Sequence, residues 1–202
     1  MNFVKYNNKK LVPSKIICVG RNYVEHIKEL NNEIPDKMVL FNKPNSAISD
    51  NLYYFSEHTR FESELCFLIE SSKITAISFG LDLTHADIQN KMKTKGLPWE
   101  RAKAFDGSAI FSDFVKLEDD VSSLRLELFV NKKLIQFASY DLMIYKPEQI
   151  LKEIKTFMSL NDGDIIMSGT PKGVGTYKYG DIFIGKIFSN EKLLIQKNWT
   201  VI

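Results

Sequence analysis

The sequence lacks the features that mark several classes of protein. It has only two cysteines in 202 residues, Cys18 and Cys66, and each lies in an apolar strand-like segment, which is typical of buried free thiols in a reducing compartment. No apolar run approaches the roughly 18 residues of a membrane-spanning helix, and the first residues lack the apolar stretch of a secretory signal. We therefore expect a cytoplasmic protein that has no membrane partner.

An excess of charge of one sign is also missing. The chain has 27 basic and 25 acidic residues, for a formal charge of +2, and both signs are spread along its length. This pattern argues against a nucleic-acid-binding surface. No linker, repeat or change in composition divides the chain, and 44% of its residues are hydrophobic. The length and composition predict a single domain over residues 1–202 with a sizeable core.

Strand-like segments outnumber helical ones. Periodicity and turn residues predict strands over residues 16–19, 38–41, 61–70, 74–83, 124–130, 134–138, 164–168 and 181–188. Helices are predicted over 22–30 with Asn22 as N-cap, over 84–95 with Thr84 as N-cap and Gly96 closing it, and from Pro147 to about 158. Residues 97–113 are predicted to form a long loop. The fold class is therefore mixed α/β, β-rich, with a bent sheet and few helices.

The glycine-rich segment GTPKGVG covers residues 169–175. It lacks the Gly-Lys-Ser/Thr ending of a nucleotide phosphate loop, and no helix follows it, so nucleotide binding is excluded. Its proline and glycines instead predict a rigid turn whose backbone amides could closely approach a ligand.

Two glutamates lie two residues apart in the predicted strand 61–70. Glu62 and Glu64 therefore project from one face, with backbones about 6.5 Å apart. Cys66 and Leu68 continue that face and are apolar, which indicates partial burial, and buried carboxylates need a cation or hydrogen-bond donors. The alternative is an ordinary solvated strand face.

A third carboxylate, Asp82, lies near the end of the next predicted strand, where a hairpin-like return would bring it to the two glutamates. Three carboxylates without clustered histidines or thiols favour Mg²⁺, Mn²⁺ or Ca²⁺ over Zn²⁺. Lys103 could balance the charge of such a site, although it could equally be an ordinary surface lysine.

One histidine has a carboxylate at helical spacing. His26 and Glu29 are three residues apart on the predicted helix and share a face. A carboxylate that orients an imidazole forms a dyad able to activate water, and the alternative is an exposed helical pair. His58 has no such partner within reach in the sequence and is predicted to lie on the surface.

Several segments, in this order, resemble the fumarylacetoacetate hydrolase family, in particular its short acylpyruvate hydrolase and oxaloacetate decarboxylase branch. They are ICVGRNYVEHIKEL, VLFNKP, FESEL, LDLTHADIQ, KGLPWERAKAFD and DGDIIMSGTPKGVG, between about Lys15 and Gly185. The resemblance implies a β-roll like that family's C-terminal domain, a homodimer, and a bound Mg²⁺ or Mn²⁺, for which Ca²⁺ could substitute.

The resemblance also implies roles for individual residues. The metal ligands would be Glu62, Glu64 and Asp82, and the catalytic residues His26, Glu29 and Lys103, with a lid over about residues 20–35. The substrate-binding residues would be Arg21, Gln89, Gly169 and Thr170.

The chain departs from the family pattern at two places. Ala86 stands where the family usually has an arginine that contacts the substrate, and the neighbouring His85 could replace it in part. The spacing from Glu64 to Asp82 is also short, which predicts a trimmed loop at the edge of the sheet and an unchanged site.

The implied substrate is a small 2-oxo acid, cleaved at a carbon–carbon bond through a metal-stabilised enolate, by acylpyruvate hydrolysis, oxaloacetate decarboxylation or both. One alternative is a tautomerase, isomerase or hydratase acting on a related 2-oxo or dienoic acid, such as a 2-hydroxyhepta-2,4-diene-1,7-dioate isomerase or an oxaloacetate tautomerase. Turnover without loss of carbon would distinguish that alternative. Another is a non-catalytic relative that binds the metal or a ligand without turnover.

Overall fold

The structure is a computed structural model that describes residues 1–30, 33 and 35–202. Its strands are β1 (Val4–Tyr6), β2 (Lys9–Leu11), β3 (Lys15–Gly20), β4 (Val39–Pro44), β5 (Ile48–Ser49), β6 (Thr59–Glu70), β7 (Lys73–His85), β8 (Ala109–Phe111), β9 (Val115–Lys116), β10 (Leu124–Val130), β11 (Lys133–Ser139), β12 (Ile165–Met167), β13 (Gly175–Thr176), β14 (Ile182–Ser189) and β15 (Lys192–Thr200). Its α-helices are α1 (Val24–Glu29), α2 (Ala86–Thr94), α3 (Glu100–Lys103) and α4 (Pro147–Ile154). No helix among the described residues is long and apolar enough to cross a membrane.

Two sheets make up most of the structure. The larger has nine strands, with the main order β4-β3-β12-β6-β7-β8-β5, while β13 pairs with β6 and β9 with β7. The smaller has the order β11-β10-β14-β15, and β1 and β2 form a separate hairpin. Most neighbours are antiparallel, whereas β12 is parallel to β3 and β5 to β8. The predicted β-rich, mixed α/β class is confirmed.

Strand β6 is buried on both faces. Leu65 and Phe67 lie on one face and pack in the larger apolar cluster, with residues of β10 and β14. Cys66 and Leu68, on the opposite face, pack in a second cluster with β3 and β12. The two sheets approach closely at Gly185, where a Cβ atom would lie 2.7 Å from the ring of Phe79. This packing fixes the positions of β6 and β7, the two strands that carry the three carboxylates.

The β6–β7 hairpin sets the register of the acidic residues. Glu62 lies directly opposite Asp82 in this antiparallel pair. The strands are joined by Ser71 and Ser72, both with positive φ, 49° and 62°, as expected of a tight hairpin turn that matches the twist of its strands. The short connection therefore lies at the far end of the hairpin from the carboxylates.

Two predicted helix caps are wrong, because each side chain has a tertiary partner. Helix α1 begins at Val24, after Tyr23, and the Asn22 amide donates to the carbonyl oxygens of Tyr145 and Ser168 at 3.0 and 2.7 Å. Strand β7 continues to His85, so α2 begins at Ala86. The Thr84 hydroxyl donates to Glu62 Oε1 at 2.8 Å instead of capping the helix.

Several other predicted boundaries differ from those in the structure. The predicted loop 97–113 contains helix α3 and strand β8, and α4 ends at Ile154, before the apolar residues near 158. The strands β1, β2, β5, β9, β13 and β15 were not predicted either. The hairpin of β10 and β11 is confirmed, with Asn131 and Lys132 at positive φ in its turn.

Candidate functional site

Three carboxylates meet at one end of the β6–β7 hairpin. Glu62, Glu64 and Asp82 each offer an oxygen, and these oxygens lie within 4.8 Å of one another. The side chain of Glu62 is 14% exposed, whereas that of Asp82 is 1% exposed, and Glu64 is equally buried. The paired strands thus bring together the three predicted metal ligands at the edge of a protein interior.

The two glutamates have opposite electrostatic environments. Burial raises the pKa of Glu64 well above its ordinary value, and the charges of Asp82 and Glu62 raise it further, although the Gly169 amide donates to Glu64 Oε2 at 2.7 Å. Burial would also raise the pKa of Glu62, but the Lys103 ammonium, His26 and the hydrogen bonds from Lys103 and Thr84 hold it at about 2. The positive charge near Glu64 is therefore too small to stabilise its ionised form.

Lys103, at the end of α3, brings positive charge to the other two carboxylates. Its Nζ donates to Glu62 Oε2 at 2.9 Å and to Asp82 Oδ2 at 2.7 Å. Burial would lower the pKa of this ammonium, but Asp82 and Glu62 raise it above its ordinary value. Lys103 therefore stays cationic beside the carboxylates.

A second lysine, Lys43 in β4, was missed by the sequence analysis. It is completely buried, its Nζ lies 2.8 Å from Asp82 Oδ1, and it donates to the carbonyl oxygens of Leu83 and Lys103. The sequence signal was a lysine close to the apolar residues of the segment VLFNKP. Lys43 holds Asp82 and the backbone that carries Lys103 in place.

The donor set fits a hard divalent ion. It consists of carboxylate oxygens, the ligands that Mg²⁺, Mn²⁺ and Ca²⁺ prefer. Lys43 forms an ion pair with Asp82 Oδ1, and that buried oxygen accepts no hydrogen bond from the described residues. The cluster could therefore hold a metal ion.

We expect Lys43→Met to lower the free energy of unfolding by about 3 kcal/mol, because it leaves the buried Asp82 carboxylate short of a cation. Denaturant unfolding in EDTA would measure this loss. Lys28→Met, which removes an exposed ion pair with Glu25, is the matched control and should leave the midpoint unchanged. Equal midpoints for the two variants would contradict a stabilising role for Lys43.

The predicted dyad is present in α1. His26 Nδ1 lies 3.3 Å from Glu29 Oε2, and the Gly173 amide donates to Glu29 Oε1 at 3.0 Å. An ionised Glu29 accepts a hydrogen bond from Nδ1–H, which leaves the Nε2 lone pair available as a base. The predicted lid, about 20–35, includes this helix, but its residues 31, 32 and 34 lie outside the described part of the chain.

The turn formed by GTPKGVG uses its amides within the protein. Gly169 donates to Glu64, and Gly173 donates to Glu29. Both glycines have positive φ, 97° and 99°, and a Cβ at Gly169 would lie 2.7 Å from that of Asn22. The predicted rigid turn therefore contacts both the acidic cluster, at Glu64, and the dyad, at Glu29. Gly169 touches the site through its hydrogen bond to Glu64.

One cleft connects the dyad to the acidic cluster. Among the residues proposed from the sequence, the cleft is lined by Arg21, His26, Glu62, Gln89, Lys103 and Thr170. Phe41, Lys93 and Trp99 also line it, and none of these three was predicted. The cleft has a volume of about 30 Å³, which is room for a water molecule or two.

His85 does not take the place of the missing arginine. Its ring stacks on Phe105 with centroids 3.9 Å apart, and its Nδ1 lies 3.1 Å from Thr59 Oγ1. Burial lowers the pKa of His85, and the ring is not among the described side chains that line the cleft. His58 is exposed, as predicted.

The burial of the two cysteines agrees with the sequence analysis. Cys18 and Cys66 are both free and buried. Burial raises the pKa of each thiol well above its ordinary value, which keeps both of them protonated and unreactive at neutral pH.

Several known proteins are similar to this chain in sequence and in fold. The chain is 36% identical over 199 residues to the mitochondrial oxaloacetate tautomerase oaa1 of Schizosaccharomyces pombe, with 88% of this chain and 90% of that protein covered. A crystal structure from Oleispira antarctica, described as a candidate fumarylacetoacetate isomerase/hydrolase, matches with a TM-score of 0.92, 35% identity and full coverage of both chains.

A third similar protein was solved with ligands. The crystal structure of fumarylpyruvate hydrolase from Pseudomonas aeruginosa in complex with Mn²⁺ and pyruvate matches with a TM-score of 0.88 and 25% identity, covering 100% of this chain and 97% of that one. The family profile described as fumarylacetoacetate (FAA) hydrolase C-terminal matches residues 15–198. The chain belongs to the fumarylacetoacetate hydrolase family.

Proposed function

We propose that this protein is a divalent-metal-dependent enzyme that acts on small 2-oxo acids, and that its principal reaction is the keto–enol interconversion of oxaloacetate. The observation that carries this proposal is that His26, the buried ammonium of Lys103 and Glu62 line one cleft, and that Glu62 belongs to the cluster of three carboxylates. The name of the similar S. pombe protein supports the choice of oxaloacetate.

Glu62, Glu64 and Asp82 would hold the ion, which would be Mg²⁺ or Mn²⁺, with Ca²⁺ as a possible substitute. When bound, the ion would polarise the 2-oxo group of the substrate as a Lewis acid. The Mn²⁺ in the Pseudomonas protein supports this assignment.

Keto–enol interconversion moves one proton, and the chain offers a base for it. His26, oriented through Nδ1 by Glu29, would take a proton from C3 of the keto form at Nε2 and return a proton to the enolate on oxygen. Lys103 would offset the negative charge that develops during this transfer. Gln89 and Thr170, which line the same cleft, would orient the substrate.

Hydrolytic carbon–carbon cleavage is a second candidate. It is supported by the name of the Pseudomonas neighbour, fumarylpyruvate hydrolase, and by the dyad, because an imidazole held by a carboxylate can also activate water. The water would attack the distal carbonyl of an acylpyruvate and release pyruvate and a carboxylic acid.

Product analysis with oxaloacetate and with acetylpyruvate would test the proposal. With Mg²⁺ or Mn²⁺, we expect rapid equilibration of oxaloacetate enol and ketone, followed by ultraviolet absorbance, without matching release of pyruvate. EDTA should abolish this activity. Pyruvate formed from acetylpyruvate at the higher kcat/KM would favour the hydrolase, and turnover of neither compound would favour a non-catalytic binding protein.

We further propose that the protein is a cytoplasmic homodimer. Its surface carries apolar side chains close together on β11 and the segment after it, where Leu134, Phe137 and Leu142 are all more than 40% exposed. Light scattering coupled to size exclusion should give twice the mass of one chain, and a monomer at micromolar concentration would contradict the dimer.

A further inference from the structure

Helix α2 presents one face to the cleft. Ala86, Gln89 and Lys93 follow one another at spacings of three and four residues, so they share a side of the helix. Gln89 and Lys93 both line the cleft. The face that begins at Ala86 therefore carries a cation, Lys93, two turns later.

Lys93 is held at this face by an aromatic ring. Its Nζ lies 5.3 Å from the ring centroid of Trp99, which lines the same cleft. A lysine stem packed beside an aromatic ring has less freedom to swing into solvent. The ammonium therefore stays at the cleft.

Lys93 differs from Lys103 in what it binds. Lys103 donates to two carboxylates of the acidic cluster, whereas Lys93 forms no ion pair or hydrogen bond with any residue that the structure describes. Its three N–H donors are available to a ligand.

The surroundings of Lys93 favour an anion. Partial burial lowers the pKa of this ammonium, and the positive charge of Arg21 lowers it further. Glu62 raises this pKa, while Lys103 and Arg60 lower it. Arg21 lines the same cleft. A carboxylate bound between these cations would reduce the repulsion between them. It would also give Lys93 hydrogen bonds in place of those to water that it loses on burial.

We propose that Lys93, together with Arg21, binds the second carboxylate of a dicarboxylic 2-oxo acid, at the end of the substrate away from the acidic cluster. The proposal rests on the function proposed above, in which the acidic cluster holds an ion that binds the 2-oxo acid end. Lys93 would then select dicarboxylates such as oxaloacetate over 2-oxo acids that end in a methyl group.

Binding of a matched pair of ligands to the Mn²⁺-loaded protein tests this role without requiring turnover. 2-Oxoglutarate and 2-oxopentanoate have the same five-carbon chain and differ at the terminal carboxylate or methyl. Calorimetry on wild type, Lys93→Met and Lys93→Arg would give the Kd values. Lys91→Met, on the exposed side of the same helix, is the control.

We expect Lys93→Met to weaken 2-oxoglutarate binding about 10- to 100-fold, the usual effect of losing a hydrogen bond to a charged group, and to leave 2-oxopentanoate binding unchanged. Lys93→Arg should retain most of the preference, and Lys91→Met all of it. KM for oxaloacetate should rise in Lys93→Met, while kcat changes little.

Equal effects of Lys93→Met on the two ligands, or no effect on either, would overturn the assignment of Lys93 while leaving the proposed function standing. If the wild-type protein takes up Mn²⁺ but binds neither 2-oxo acid, the proposed function fails and the assignment of Lys93 fails with it. Altered Mn²⁺ affinity in Lys93→Met would also count against it, because a residue that binds only the distal carboxylate leaves the acidic cluster unchanged.

Discussion

Glu64→Gln is expected to abolish activity and to weaken Mg²⁺ and Mn²⁺ binding by at least about 100-fold. Loss of a residue that merely orients a metal ligand already costs about 10- to 100-fold in affinity, and this change removes an anionic ligand. Glutamine has nearly the same shape, and its amide oxygen can still accept the hydrogen bond from Gly169. Calorimetric titration would measure the ion affinity, and an oxaloacetate tautomerisation assay would measure the activity.

The matched control for this change is Glu70→Gln. Glu70 lies at the other end of the same strand, opposite Lys73 and away from the acidic cluster, so its loss should alter neither ion affinity nor rate. If Glu64→Gln retained wild-type affinity for both ions, the acidic cluster would not be the metal site.

Glu64→Gln should also be more stable than the wild type when EDTA is present. Burial and the charges of Asp82 and Glu62 raise the pKa of Glu64 in the folded protein, whereas in the unfolded chain it lies near 4.3. The folded state therefore binds the proton more tightly, so the wild type loses stability as pH rises above about 4.3 toward the raised pKa. Glutamine does not titrate, so the melting temperature of Glu64→Gln should fall less than that of the wild type between pH 5 and pH 8. An identical pH dependence in both proteins would contradict this electrostatic account.

His26→Ala is expected to separate two reactions of the same substrate. Tautomerisation of oxaloacetate needs a base at C3, and general acid–base catalysis typically contributes about 10²- to 10⁴-fold, so this rate should fall by that amount. Decarboxylation releases CO₂ without removal of a proton by a base, so any metal-dependent decarboxylation should be largely retained. Parallel measurement of enol absorbance and of pyruvate would follow both reactions.

Lys103→Met provides the contrasting variant. Both reactions develop negative charge on the 2-oxo oxygen, so loss of the ammonium should impair both, by roughly 10²- to 10³-fold. Because Lys103 also contacts Glu62 and Asp82, the rates should be compared at saturating metal ion. If His26→Ala slowed both reactions equally, or Lys103→Met spared either one, the division of roles between them would be wrong.

The features predicted correctly from the sequence are mostly local. Alternation along β6 placed Glu62 and Glu64 on one face, because side chains in a strand repeat every two residues. Helical spacing likewise brought His26 to Glu29. The short link between Glu64 and Asp82 predicted a trimmed edge, and the tight turn at Ser71 and Ser72 provides it.

The misassigned caps show where local patterns stop being sufficient. Asn22 and Thr84 are both good N-cap residues, yet their side chains bind Ser168 and Glu62, which are distant in sequence. Propensity describes a side chain and its own backbone, and a partner brought by the tertiary fold can satisfy the same polar atoms instead.

The sequence by itself determined the acidic pair, the dyad and the β-rich class, since each depends on spacing within one segment. Only the tertiary structure decided that Lys43 reaches Asp82 from β4, that the turn amides bind Glu64 and Glu29, and that Lys93 faces the cleft. These contacts join segments whose separation along the chain carries no periodic signal. They depend on which strands pair and at what register, which is set by burial of the whole core.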